Sequence, residues 1–193
     1  MNKAVFVDKD GTLIENVPYN IDPTLIRFYP EVERALKFWA GMGYKIVIVS
    51  NQPGVALGLF DEREVEDLFR TMQEMMITYE IPVDGFYYCP HFKDGTVSEF
   101  SKDCTCRKPK PGMLLQAAKD LNIDPRQSWM IGDILNDVEA GNRAGCKTIM
   151  IDNGNETEWV INEIRKPLYI VKDLWEAATK TIEYDQMKEL QRY

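Results

Sequence analysis

Two carboxylates stand two residues apart where an apolar run ends, in Val5-Phe6-Val7-Asp8-Lys9-Asp10-Gly11-Thr12. A carboxylate is a competent nucleophile toward phosphorus and gives an acyl phosphate. A second carboxyl beside it can protonate a departing alkoxide and then deprotonate an attacking water. Neighbouring anions raise one another's pKa, which helps one of them carry a proton. Their repulsion, added to that of a dianionic phosphate, calls for a cation, and Mg2+ suits hard oxygen ligands and retained water. The plainer alternative is a solvated turn built on Asp-Gly. Chemistry is favoured because a strand leads into the pair and further polar residues close later strands.

A second cluster is made of soft donors. Cys89-Pro90-His91 and Cys104-Thr105-Cys106 offer three thiolates and the only imidazole in the chain. That is a complete Cys3His set for tetrahedral Zn2+, and four protein ligands leave no open position, so such a metal is structural. The segment around it, about residues 89–110, shows no helical or strand period, and a long irregular loop needs a staple. Cys106 directly precedes Arg107 and Lys108, so a metal clip here would fix the loop that presents both cations. Cys146 stands apart and reads as a small core residue.

The elements that must position these residues follow from periodicity. Ala4–Val7, Lys45–Val49, Gly85–Cys89, Trp129–Gly132, Lys147–Ile151 and Leu168–Val171 read as short buried strands. Val32, Ala35, Leu36 and Trp39 recur at helical spacing, as do Val65, Leu68, Phe69, Met72 and Met76 behind an Asp61/Glu64 capping box. Pro111 opens a helix whose apolar face is expected from Leu114, Leu115, Ala118 and Leu121. Asn136–Gly145 is a short helix ended by glycine, and the tail from Asp173 is helical. Strand–helix alternation of this kind predicts an α/β fold, a Rossmann-like three-layer sandwich with a central parallel sheet, in one domain over residues 1–193. Ligands bind beyond the carboxyl ends of such strands, where Asp8, Ser50 and Asp133 all fall.

Composition narrows the partners. The formal charge is 23 − 31 = −8, and an acidic surface without a basic run disfavours nucleic acid. No stretch approaches the ~18 apolar residues of a membrane span. The N-terminus lacks a signal-peptide layout, so a cytoplasmic protein with reduced cysteines is expected.

Four stretches in order resemble the haloacid dehalogenase-like phosphatase superfamily. They are Asp8 to Thr12, Ile46 to Gln52 ending in Ser50, Arg107 to Gly112, and Trp129 to Asp137 with its Gly-Asp-x-x-x-Asp pattern. The resemblance implies Asp8 as nucleophile and Asp10 as general acid/base. Ser50 then bonds a phosphoryl oxygen and Lys108 offsets the charge. Mg2+ is held by the Asp8 side chain, the Asp10 backbone carbonyl and Asp133, while Asp137 supports Lys108 or a metal-bound water. With Cys-x-His and Cys-x-Cys added, the chain is similar to the family of heptose bisphosphate 7-phosphatases and the related histidinol-phosphate phosphatases. Ser50 to Gly58 and Arg107-Lys108-Pro109 resemble the heptose enzymes more closely. That likeness implies sugar contacts from Asn16, Val17, Pro18 and Tyr19, with Asn51, Gln52, Pro53 and Arg107. Leu57 stands where the heptose enzymes often carry a basic residue. No insertion is long enough for a large cap domain. The expected partner is a small phosphorylated metabolite, probed by a monomeric enzyme.

Overall fold

The structure, a computed structural model, describes residues 1–190; the last three residues of the expected helical tail, 191–193, lie outside the described residues. The elements run β1 (Lys3–Asp8), α1 (Val32–Gly41), β2 (Tyr44–Asn51), α2 (Glu62–Thr78), β3 (Gly85–Cys89), α3 (Gly112–Asp120), β4 (Trp129–Gly132), α4 (Leu135–Ala144), β5 (Lys147–Ile151), β6 (Tyr169–Val171) and α5 (Leu174–Leu190). The six strands form one sheet in the order β3-β2-β1-β4-β5-β6, and each neighbouring pair is parallel.

The strand residues face opposite sides in turn, as a period of two requires. Val5 and Val7 of β1, with Ile46, Ile48, Ile131 and Ile149, pack under α1, α2 and α5. Ala4 and Phe6, with Val47, Val49 and Met130, pack under α3 and α4. Helices thus cover both faces, which is why the strands read as unbroken apolar runs. Trp39 is fully buried and its Nε1 donates to Thr181 Oγ1 at 2.7 Å, tying α1 to α5. Asp61 and Glu64 form the reciprocal cap of α2, and Gly145, at φ 89°, ends α4 in the left-handed region.

The apolar face of α3 differs from the expectation. Met113, Leu114, Ala117 and Ala118 are buried, whereas Leu115 is exposed. The helix seats a face of i, i+1, i+4 and i+5 against the sheet, which turns Leu115 to solvent.

Two features of this topology place the site. β1 is flanked by β2 on one side and β4 on the other, although β4 follows much later in the chain. The strand order therefore reverses beside β1, and a crevice opens beyond the carboxyl ends of β1 and β4. Asp8 is the last residue of β1, in register with Val49, and Asp133 follows β4 directly. Residues Pro90 to Pro111 form neither helix nor strand. Among the described residues no helix is long and apolar enough to cross a membrane.

Candidate active site

Asp8 lies at the bottom of the crevice, 7% exposed. The Lys108 ammonium, 100 residues away in sequence, is hydrogen-bonded to Asp8 Oδ1 and also lies 2.6 Å from Asp137 Oδ1. Lys108 is itself 3% exposed. Oxygens of Asp8, Asp133 and Asp137 all come within 4.8 Å of one another. Ionised, the three carry −3 against the +1 of Lys108. Burial pushes the Asp8 carboxyl well above its usual range, Lys108 pulls it back, and Asp137, Asp133 and Asp10 add to the rise. Burial, with the Asp137 charge, likewise pushes Asp133 up to about 6. The surplus of two negative charges on hard oxygens in a dry crevice suits one divalent, oxygen-seeking cation. These residues fit magnesium.

Asp133 is oriented from two sides. Thr12 Oγ1 donates to its Oδ1 at 2.9 Å, and Asn155 Nδ2 to its Oδ2 at 2.7 Å. Asn153 Nδ2 donates to the Gly11 carbonyl at 2.6 Å. Gly11 sits at φ 89°, and a Cβ there would meet Asp133 Oδ2 at 2.2 Å. The turn after β1 therefore needs glycine both for its left-handed backbone and for the close approach of Asp133. Thr12, Asn153 and Asn155 carry no role in the sequence reading. Asn155 has no local motif. The signal available was the rule that ligands gather at strand ends, since this loop follows β5.

Asp10 sits apart from the buried trio, nearer to solvent. Its Oδ2 takes contacts from Ser50 Oγ at 3.3 Å and Gln52 Nε2 at 3.4 Å, and Gln52 Nε2 also donates to Ser50 Oγ at 2.8 Å. A pocket of about 260 Å³ opens here, lined by Lys9, Asp10, Asn16 to Asn20 and Asn51 to Pro53. It brings together the loop and the strand-end residues expected to contact a sugar, with one exception. Arg107 is absent from this lining: its guanidinium lies 5.1 Å above the Phe92 ring and donates to the His91 carbonyl at 3.4 Å.

The soft donors also converge. The ligand atoms of Cys89, His91, Cys104 and Cys106 lie within 4.8 Å of one another. Sulfur–sulfur separations run from 2.9 Å for Cys106–Cys89 to 3.5 Å for Cys89–Cys104, too long for disulfides. The Cys89 hydrogen bond, with those of His91 and Cys104, pulls the Cys106 thiol down to about 5 against its burial. Three thiols and one imidazole facing one point fit zinc. The cluster touches the cation loop, because the Arg107 amide donates to Cys104 Sγ at 3.3 Å. One residue on, Lys108 is locked to β2: its amide donates to Asn51 Oδ1 at 3.0 Å, and its carbonyl accepts from Asn51 Nδ2 at 3.1 Å. Cys146 is buried in the core beneath α3 and α4 and is not one of the four converging ligands.

With a buried carboxylate beside a buried lysine at the switch point of its parallel sheet, and with the relatives that follow, the protein is a phosphatase of the haloacid dehalogenase-like superfamily. A family model described as HAD-hyrolase-like matches residues 105–177. The D-glycero-beta-D-manno-heptose-1,7-bisphosphate 7-phosphatase of Haemophilus influenzae is 45% identical over 147 residues, 76% of this chain and 79% of that protein. The Escherichia coli K12 protein of the same name is 37% identical over 170 residues, 83% and 89% of the two chains. A HAD-like phosphatase from Mesorhizobium loti superposes with a TM-score of 0.82 at 29% identity, covering 95% of this chain and 87% of that one. The D,D-heptose 1,7-bisphosphate phosphatase of B. bronchiseptica, complexed with magnesium and phosphate, shares the fold at a TM-score of 0.76 and 24% identity, covering 94% and 99%. The chain belongs to the D-glycero-beta-D-manno-heptose-1,7-bisphosphate 7-phosphatase family.

Proposed function

We propose that this protein removes the 7-phosphate of D-glycero-D-manno-heptose 1,7-bisphosphate in a magnesium-dependent reaction that passes through an aspartyl phosphate on Asp8. The observation that carries the reading is the buried Asp8–Lys108 pair beside Asp133 and Asp137, in a chain whose relatives bear that activity in their names.

An Asp8 oxygen attacks phosphorus, and the bond from phosphorus to the ester oxygen breaks as Asp10 gives that oxygen its proton. Water then attacks phosphorus, Asp10 takes the water proton, and the bond from phosphorus to Asp8 breaks to free phosphate. Lys108 holds Asp8 in place and balances charge that grows on the phosphoryl group. Ser50, beside Asp10, donates to a phosphoryl oxygen. Asp8, Asp133 and the Asp10 backbone carbonyl would hold magnesium, which draws negative charge from the phosphoryl oxygens and so eases attack by an anion. Asp137 serves the site through Lys108.

The 16–20 loop and residues 51–53 would receive the sugar, while Arg107, held over the Phe92 ring, lies outside this lining. Among the described residues, Asp10 is the only carboxylate lining this pocket, and Glu15 is exposed outside it. Uncharged amides and a tyrosine suit a polyol better than the cationic leaving group of histidinol phosphate. The whole chain acts as one domain without a large cap, and small loops shape the pocket. A substrate panel tests the assignment. kcat/KM for the heptose bisphosphate is expected to exceed that for histidinol phosphate by roughly 10²-fold. A preference for histidinol phosphate would reassign the substrate within the same chemistry.

Cys89, His91, Cys104 and Cys106 would hold structural zinc. The short path from Cys104 Sγ through the Arg107 amide to Lys108 makes that site a brace for the catalytic lysine. Stripping zinc, or replacing Cys104 and Cys106 by Ser, should lower kcat roughly 10²-fold by displacing Lys108 about an ångström. Metal analysis with steady-state assays checks this. A double Ser variant that keeps wild-type turnover would remove the brace from the account.

A further inference from the structure

Lys9 has no part in the chemistry above, yet its side chain is 1% exposed and among the largest fully buried ones in the protein. An ammonium is costly to bury unless it is paired. Its Nζ meets one carboxylate, Asp10 Oδ1, at 2.7 Å. Among the described residues, the other Asp10 oxygen has only the two longer contacts, at 3.3 and 3.4 Å, from Ser50 and Gln52. The backbone of Lys9 is fixed as well, since the amides of Leu13 and Ile14 both donate to its carbonyl at 3.0 and 3.1 Å. The carboxylate that ends β1 and the one two residues beyond it thus each have a buried lysine, Lys108 for Asp8 and Lys9 for Asp10.

We propose that Lys9 is a positioning residue that anchors Asp10 Oδ1, so that Oδ2 alone faces the reacting oxygen. The inference rests on the phosphatase reading and adds a role that the motif itself does not assign. Oδ2 gives its proton to the ester oxygen as that oxygen leaves phosphorus. It later takes a proton from water as the bond from phosphorus to Asp8 breaks. Without the ammonium the carboxylate is left to the two longer contacts at Oδ2, and both proton transfers suffer. Phosphate binding and attack by Asp8 do not involve Lys9. A leaving group that departs as a stable anion needs no proton, so it should hide the first defect and expose the second.

The test is rapid mixing of wild type, Lys9→Met, Lys9→Arg and Asp10→Asn with p-nitrophenyl phosphate and Mg2+. Lys9→Met should release about one p-nitrophenolate per active site in a burst within about threefold of the wild-type rate, then turn over at least about tenfold more slowly, in the manner of Asp10→Asn. Lys9→Arg keeps the charge and should restore turnover to within about threefold. The burst amplitude counts competent sites, so a partly folded preparation still reports. Lys9→Gln carries the same comparison should the Met variant not accumulate. Burst and turnover falling together would show a merely structural lysine and overturn the proposal. Unchanged turnover, or an Arg variant as slow as Met, would overturn it too. If wild type releases no p-nitrophenolate, or Asp8→Asn turns over, the phosphatase reading itself has failed and Lys9 falls with it.

Discussion

Asp8→Asn is expected to lose phosphate release by at least about 10⁴-fold while the protein stays folded, because removal of a covalent nucleophile takes away the route and not just a contact. Asn keeps the shape of the side chain but not an anionic oxygen able to attack phosphorus. Lys108 keeps its second partner, since Asp137 lies 2.6 Å away, so the substitution strands no buried charge. Stability gives a separate signature. In the metal-free protein, burial holds the Asp8 carboxyl well above its ordinary range, with Lys108 pulling it back. A carboxyl raised in this way binds more protons folded than unfolded. Its contribution to stability therefore falls as pH rises from the usual carboxylate range toward the folded value. Asn has no proton to lose. Metal-free Asp8→Asn should melt no lower than wild type at neutral pH, and the two should converge toward about pH 4. Phosphate-release assays and thermal melts across pH check both halves, and turnover surviving in the variant would exclude an aspartyl phosphate on Asp8.

Lys108→Met should damage both function and stability. The variant keeps three carboxylates within 4.8 Å of one another and removes the ammonium that lies between Asp8 and Asp137. Removing one partner of a buried ion pair costs about 3–5 kcal/mol, or about 10 °C in melting temperature for a chain of this size. Turnover should fall by at least about 10²- to 10³-fold, the scale of one lost electrostatic group in a closed site. Mg2+ added to the variant should raise its melting temperature by more than it raises that of wild type, because the cation meets a larger uncompensated charge. Calorimetry with and without Mg2+ measures this directly. A Lys108→Met protein with the wild-type melting temperature would mean that the carboxylates carry less charge than the geometry implies.

The chemistry of this protein was legible in short stretches because each candidate group ends a strand or opens a turn, and both are encoded by near neighbours. An apolar run ending in Asp8, a β-branched run ending in Ser50, and a strand closing on Gly132-Asp133 announce their positions from within a few residues. The Cys-x-His and Cys-x-Cys pairs are local in the same sense. The alternation of strands and helices was enough for a parallel sheet, since parallel neighbours need a crossover between them. Leu115 of α3 faces solvent against expectation because periodicity gives the width of a buried stripe but not its rotation against the sheet.

What only the tertiary structure decided are contacts between residues far apart in the chain. Asn155 reaches Asp133 across 22 residues and Asn153 reaches Gly11 across 142, from a loop that has no motif of its own. The pairing of Lys108 with Asp137, the burial of Lys9 against Asp10 and the withdrawal of Arg107 from the sugar pocket depend on where the crossovers set each strand end down. Residue type and spacing determine which reactive groups the chain carries. Packing determines which of them share a dry crevice, and it is the loss of water there that makes one ammonium matter to three carboxylates.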